Sequence, residues 1–228
     1  MTAAGTRARV RAELTREIAE VARRHLASAG AAALSLRAVA RELGMASSAV
    51  YRYFPSRDDL LTALIVDAYD ALGDAAEHGE RAASPDDLRA RWMGVCRAVR
   101  EWAVAHPHEY ALVYGSPVPG YAAPEATIAP AARVGLVLIR IVTDGLASGA
   151  ITPPPETAAA DTLVPGLAEN VGLPPTLTAT AIFIWSSLYG AISWELFGQT
   201  NNAVEDHAGY FDVVAHRLAD TAGLPSAT

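Results

Sequence analysis

Cysteine is nearly missing from this chain: Cys96 is the only one. No intrachain disulfide can form, and a reducing compartment fits. Lysine is missing altogether, so all 18 strong bases are arginine. Genomic base composition is the plainer explanation for that bias. Met1 to Arg11 is largely Ala, Thr, Gly and Arg and lacks the apolar run of a secretory signal. Catalytic constellations are lacking too. There is no nucleophile–base arrangement, no phosphate-cradling glycine loop and no pair of carboxylates in apolar surroundings. His106-Pro107-His108-Glu109 has metal-ligand residue types, but Pro107 makes it a helix start, with no further ligands arranged around it. No enzyme, metal site or bound cofactor is expected.

Asn170 to Trp194 carries no charge, which raises the question of a membrane span. Pro174, Pro175 and Gly190 lie within it. Its uninterrupted apolar part, near Ala181 to Ile192, falls short of the roughly 20 residues a span needs. A helix buried on most sides is expected instead, and no membrane partner.

Hydrophobic residues make up 51% of the 228 residues, enough for a sizeable core rather than disorder. The net charge of −7 is unevenly spread. Residues 1–66 hold ten Arg against six acids, a net +4, and the remainder carries −11. A basic head on an acidic body lets one end approach phosphate and keeps the rest away.

The most informative stretch is Leu36 to Leu60. Leu36, Val39, Ala40 and Leu43 share one helix face, and Gly44 follows where a helix stops in a left-handed residue. A second helix, expected over Ser47 to Phe54, carries Val50 and Phe54 on its inner side. At about 100° per residue, Ser48 and Arg52 point the other way, with Tyr51 on the flank. Such a helix packs on its own domain and meets phosphates and base edges with its other side. Pro55 stops it, and Ser56 caps the next helix, with Asp58 and Asp59 in the first turn.

Gly44-Met45-Ala46-Ser47-Ser48-Ala49-Val50-Tyr51-Arg52-Tyr53-Phe54-Pro55-Ser56-Arg57 resembles the helix-turn-helix signature of the TetR family of bacterial transcription regulators, and the likeness runs from about Val10 to Leu72. Three positions depart from the family pattern. Ala46 replaces the usual Ser or Thr cap, so either Ala46 or Ser47 starts the helix; Tyr53 replaces a common His; Arg57 replaces a common Lys. The resemblance implies double-stranded operator DNA as partner, contacted by Arg37, Ser47, Ser48, Ala49, Tyr51, Arg52, Tyr53 and Arg57. Arg52 and Ser48 would meet bases, while Tyr51, Tyr53 and Arg57 would meet the backbone.

Around this motif the periodicity predicts helices throughout: about Arg7–Ala29, a connecting helix after Phe54 to Leu72 and beyond, then 85–105, 107–114, 127–148, a weaker 158–168, 176–197 and 206–222. Arg7, Arg9 and Arg11 precede or open the first helix, either as a groove-reaching arm or as a frayed terminus. The fold class is all-α, with a helix-turn-helix domain over 1–72, a boundary near Gly79–Pro85, and an effector-binding and dimerisation domain over 80–224.

Aromatics concentrate in the second part. Trp92, Cys96, Tyr110, Tyr114, Arg140, Trp185 and Tyr189 are the candidate ligand contacts, for a mostly apolar small molecule; for each aromatic, plain core is the alternative. Trp185-Ser-Ser-Leu-Tyr189-Gly190 resembles a Trp-x-x-x-His-Gly signature of one C-terminal class of TetR-like regulators, with Tyr in place of His. Arg140 either clamps an acidic effector or, as its spacing favours, pairs with Asp144 at i, i+4 on a solvated edge with Arg133. The resemblance implies a cytoplasmic homodimeric regulator, dimerised through 176–197 and the last helix, most simply a repressor. Two rivals are a helical ligand-binding or catalytic protein with a non-functional helix-turn-helix, and a purely structural helical dimer.

Overall fold

The computed structural model describes residues 3–155 and 159–226, with side chains from residue 5 onward. Among the described residues ten α-helices follow one another: α1 Ala3–Ala29, α2 Leu36–Glu42, α3 Ser47–Val50, α4 Arg57–Arg81, α5 Leu88–Ala105, α6 Pro107–Tyr114, α7 Ile128–Ala147, α8 Leu167–Val171, α9 Pro175–Leu196 and α10 His207–Thr221. No strand is present among the described residues. The chain divides by contacts into two units, 1–69 with 106–130, and 70–105 with 131–228. This differs from the division expected at Gly79–Pro85: Gly79 lies inside α4, and the segment 106–130 packs with the N-terminal residues.

In the first unit, Ile18, Val21, Leu34, Leu36, Val39, Val50, Phe54, Leu60, Leu61 and Leu64 form the core. Val10, expected on that inner face, is exposed. Arg7, Arg9 and Arg11 form no arm, because α1 already begins at Ala3. Arg24 and His25 of α1 both bind Glu42 of α2, at 2.7 and 2.6 Å. Arg24 first, then His25, holds the Glu42 carboxyl below its usual value. The second segment of this unit is tied in by Arg23–Glu109 at 3.3 Å and by the Thr62 and Tyr121 hydroxyls at 2.9 Å. Tyr110 and Tyr114 stack here at 5.1 Å, with Tyr69 edge-on to Tyr114.

In the second unit α9 packs on α8 and α10, and α5 packs on both α9 and α10. The α5 backbone approaches α4 through Gly79 and Gly94, where a methyl on either residue would collide with the other's carbonyl. Trp92, Cys96 and Val99 are fully buried along it. The expected weak helix over 158–168 is in part a single 3₁₀ turn at Ala160–Thr162, with α8 following; residues 156–158 lie outside the described residues. α7 with its preceding turn, and α9, are long and apolar enough by composition to cross a membrane, a property core helices share.

Candidate nucleic-acid interface and ligand cavity

The turn between α2 and α3 closes as anticipated at Gly44, whose φ is +64°. Gly44 N–H donates to Arg41 O at 3.2 Å and Met45 N–H to Ala40 O at 2.9 Å, the paired bonds of a Schellman ending. The chain then enters α3 with Ala46 in the N-cap position and no side-chain cap bond. The helix therefore starts at Ser47 and relies on backbone bonds alone. It is α-helical only through Val50, not through Phe54. Arg52 N–H and Tyr53 N–H donate three residues back, to Ala49 and Val50, which tightens the end into turns. Pro55 accounts for this shortening, since it pushes Phe54 out of α geometry. The Ser56 cap is present: Asp59 N–H donates to Ser56 Oγ at 3.1 Å, and Ser56 Oγ donates to the Asp59 carboxylate at 2.7 Å.

Val50 and Phe54 are buried, while Ser47, Ser48, Tyr51 and Arg52 are exposed, and Ala49 and Tyr53 are half-buried. Arg37 and Arg41 on α2 are exposed as well. Among the described residues no acid pairs with Arg37, Arg41 or Arg52. Arg11 of α1 braces the turn that follows α3. It donates to Arg52 O at 3.2 Å, and its guanidinium lies 5.2 Å from the Tyr53 ring centre.

The second unit holds a cavity of about 440 Å³ between α5, α7, α8 and α9. Trp92, Leu138, Ile139, Val142, Leu177 and Trp185 make much of its wall, and no charged residue among the described residues lines it. Gly135 of α7 makes room for Trp185, because a methyl there would overlap the indole ring. The Trp92 indole N–H is used up on Ala215 O at 3.2 Å. This half-open apolar lining suits an apolar group better than a charged one.

Two family profiles match the chain. "Bacterial regulatory proteins, tetR family" covers residues 18–64, and "Tetracyclin repressor-like, C-terminal domain" covers 92–218. The chain belongs to the TetR family. It is 41% identical over 202 residues to the HTH-type transcriptional regulator Rv1816 of Mycobacterium tuberculosis, covering 86% of each chain. Among solved structures it is similar to the regulatory protein SCO4313, with a TM-score of 0.76, 35% identity, and 93% of this chain and 98% of that one covered. A Rhodococcus protein of unknown function is also similar, with a TM-score of 0.69, 26% identity, and coverage of 92% and 93%. The chain is thus a DNA-binding transcriptional regulator with the all-helical fold of that family.

Within this TetR-family regulator the anticipated DNA contacts separate into two groups. Arg37, Ser47, Ser48, Tyr51 and Arg52 present accessible side chains, and Ala49 and Tyr53 lie beside them. Arg57 has a different occupation. Its Nε donates to Leu34 O at 3.1 Å and one terminal nitrogen to Ala31 O at 2.8 Å. From the first turn of α4 the side chain reaches back to the carbonyls between α1 and α2, so it clamps the head rather than reaching outward.

The anticipated ligand contacts separate more sharply. Only Trp92 and Trp185 line the cavity. Tyr189 is buried beside Trp185, with ring centres 5.9 Å apart. Cys96 is wholly buried, and burial pushes its thiol up to about 12. Tyr110 and Tyr114 belong to the first unit. Arg140 does not line this cavity and does not pair with Asp144: it binds Glu80, whose other oxygen is held by Arg91 at 2.6 Å, and Arg91 also takes Asp144 at 2.7 Å. Burial works to raise the Glu80 carboxyl, but Arg140 and Arg91 outweigh it and hold it below its usual value. Arg133 likewise binds Asp70, Asp74 and Glu77 of α4. Sequence periodicity missed these pairs because the acids lie 11 to 63 residues away, on other helices and beyond any local spacing rule. It also missed the α7 and α8 walls of the cavity, whose residues read only as apolar core.

Proposed function

We propose that this regulator is a cytoplasmic repressor that binds a near-palindromic operator as a homodimer and releases it when a small, mostly apolar effector fills the cavity. The exposed end of the head, Ser47 to Arg52 with Arg37, is the operator-reading surface: Arg52 reads a base beside Ser48, and Tyr51 and Tyr53 fix the register on phosphates. The effector site is the α5–α7–α8–α9 cavity, with Trp92 and Trp185 as its aromatic walls. The observation that carries the reading is this apolar, partly open cavity in a chain whose other unit displays exposed arginines with no acid paired to them among the described residues.

Dimerisation through α9 and α10 is supported by their apolar outer faces. Phe183 and Trp194 on α9, Phe197 at its C-terminal end, and Tyr210 and Val213 on α10 are all exposed in the single chain. Exposed large apolar side chains on two packed helices suit an interaction site. A two-fold dimer implies half-sites about 34–36 Å apart, or a multiple of that.

Selection of binding sites from random duplexes, with light scattering of the complex, tests the reading. A near-palindromic consensus bound by a dimer is the expected outcome. A folded monomer binding one half-site tightly would contradict the dimer, and absence of any salt-sensitive DNA binding would contradict the operator. Neither rival, the inert helix-turn-helix or the purely structural dimer, has a specific observation in its favour.

A further inference from the structure

The N-terminal part of α1 carries a basic side that the helix-turn-helix does not account for. Farther along α1 the inner face is apolar: Ile18, Val21 and Ala22 are buried and Leu14 is half-buried. At about 100° per residue, Arg7 and Arg11 continue that same face toward the N-terminus. The inner stripe thus changes from apolar to arginine where the helix runs past its core. Every residue from Gly5 to Glu13 is exposed, so roughly 13 Å of helix stands outside the packing. The far side of this stretch is mixed in charge: Arg9 and Glu13 pair there at 3.8 Å, with Arg16 and Glu17 nearby on the surface.

A contact fixes where the basic side lies. Arg11 Nη2 donates to Arg52 O at 3.2 Å, and its guanidinium lies 5.2 Å from the Tyr53 ring centre. Arg11 therefore seats α1 against the turn that follows α3, next to the exposed Arg52. Arg7 stands about one turn, roughly 6 Å, farther along the same face. A helix that is already formed has less to order on binding than a frayed arm. In a DNA-binding regulator this face meets one partner of matching charge, the phosphates bordering the groove that α3 enters.

We infer that Arg7 is a phosphate contact outside the helix-turn-helix, aimed by the Arg11 anchor, so that each protomer grips the operator backbone beside the bases that α3 reads. This rests on the exposed side of α3 being the operator-reading surface. The test is Arg7→Ala in the whole dimer, with Arg9→Ala as the control on the far side of the helix. Both are titrated at about 50 and 200 mM salt against the operator selected from random duplexes and against an unrelated duplex. Arg7→Ala should weaken both duplexes alike and leave the consensus and the melting temperature unchanged. Its salt slope should fall by about two per dimer, one for each Arg7, so its deficit shrinks by about tenfold from the lower to the higher salt. Backbone ethylation should reveal a phosphate in each half-site whose modification weakens the wild type but not Arg7→Ala. Arg9→Ala should leave the slope nearly unchanged. An unchanged affinity and slope in Arg7→Ala overturns the phosphate contact and leaves α3 as the reading surface. An equal loss in Arg9→Ala reduces the effect to net charge and overturns the assignment to this face. A changed consensus in Arg7→Ala overturns it too, since Arg7 then meets a base. Absence of salt-sensitive DNA binding by the wild type overturns the operator reading and this contact together.

Discussion

Arginine does opposite work in the two units. In the first unit Arg37, Arg41 and Arg52 stand exposed with no acid paired to them among the described residues, although Arg23 and Arg24 are ion-paired there. In the second unit Arg89, Arg91, Arg97, Arg100, Arg133 and Arg140 each hold a carboxylate from another helix. Arg97–Asp212 and Arg100–Glu195 are two-pronged, with bonds of 2.6 to 2.8 Å. The acidic excess of the body is therefore more than a general repulsion of DNA: part of it is spent fixing α4, α7, α9 and α10 to arginines. What distinguishes a reading arginine from a bracing one is the local supply of acids, not the residue type.

Substitutions in the two sets should separate folding from DNA binding. Arg91→Ala leaves Glu80, which is buried, with Arg140 alone, and should cost about 3 kcal/mol in urea unfolding. Operator affinity per folded molecule should stay unchanged; a matching loss of DNA binding would erase the distinction between the sets. Gly135→Ala forces the Trp185 ring to move and should cost about 1–3 kcal/mol, with a visible change in tryptophan emission. Unchanged emission would place Trp185 elsewhere. Arg57→Ala should cost about 1–2 kcal/mol of stability, since it frees carbonyls of the head. If Arg57 met phosphate instead, the salt slope of DNA binding would drop by about one with little change in stability.

Acid should act on the braced set. Glu80 and Asp212 have folded-state carboxyls below their usual values of 4.5 and 3.8, Glu80 through Arg140 and Arg91 against the cost of burial, Asp212 through Arg97. A depressed carboxyl adds stability above its unfolded value, and that stability is lost as pH falls through the folded one. Melting temperature should hold from pH 7 to about 5 and fall below about 4.5. A flat profile down to pH 3 would mean the pairs contribute nothing. The smallest effect concerns Cys96, whose thiol sits near 12 and is wholly buried. It should resist alkylation at pH 8 until the chain unfolds, and rapid labelling of the native protein would show that α5 opens.

Local rules explain what could be read before the fold was known. The Schellman turn at Gly44, the Ser56 cap and the buried Val50 and Phe54 depend on neighbours a few residues away, so spacing reveals them. The exposed outer side of α3, with Ser48 and Arg52 opposite Val50, was legible for the same reason. Arg57 was misread because its carbonyl partners lie 23 to 26 residues back. Aromatic density marks core and cavity alike: Tyr110 is fully buried in the first unit, while Trp185 opens onto the cavity. Only packing distinguishes those cases.

The account stands most directly on Arg52, exposed beside Ser48 at the end of a braced head. Its test is a titration of Arg52→Ala against the selected operator and against an unrelated duplex, at the same salt. The expected result is a loss of about 1–3 kcal/mol on the operator, a smaller loss on unrelated DNA, and relaxed preference at one position of each half-site. An equal loss on both duplexes would show that Arg52 touches phosphate alone and that base reading lies elsewhere.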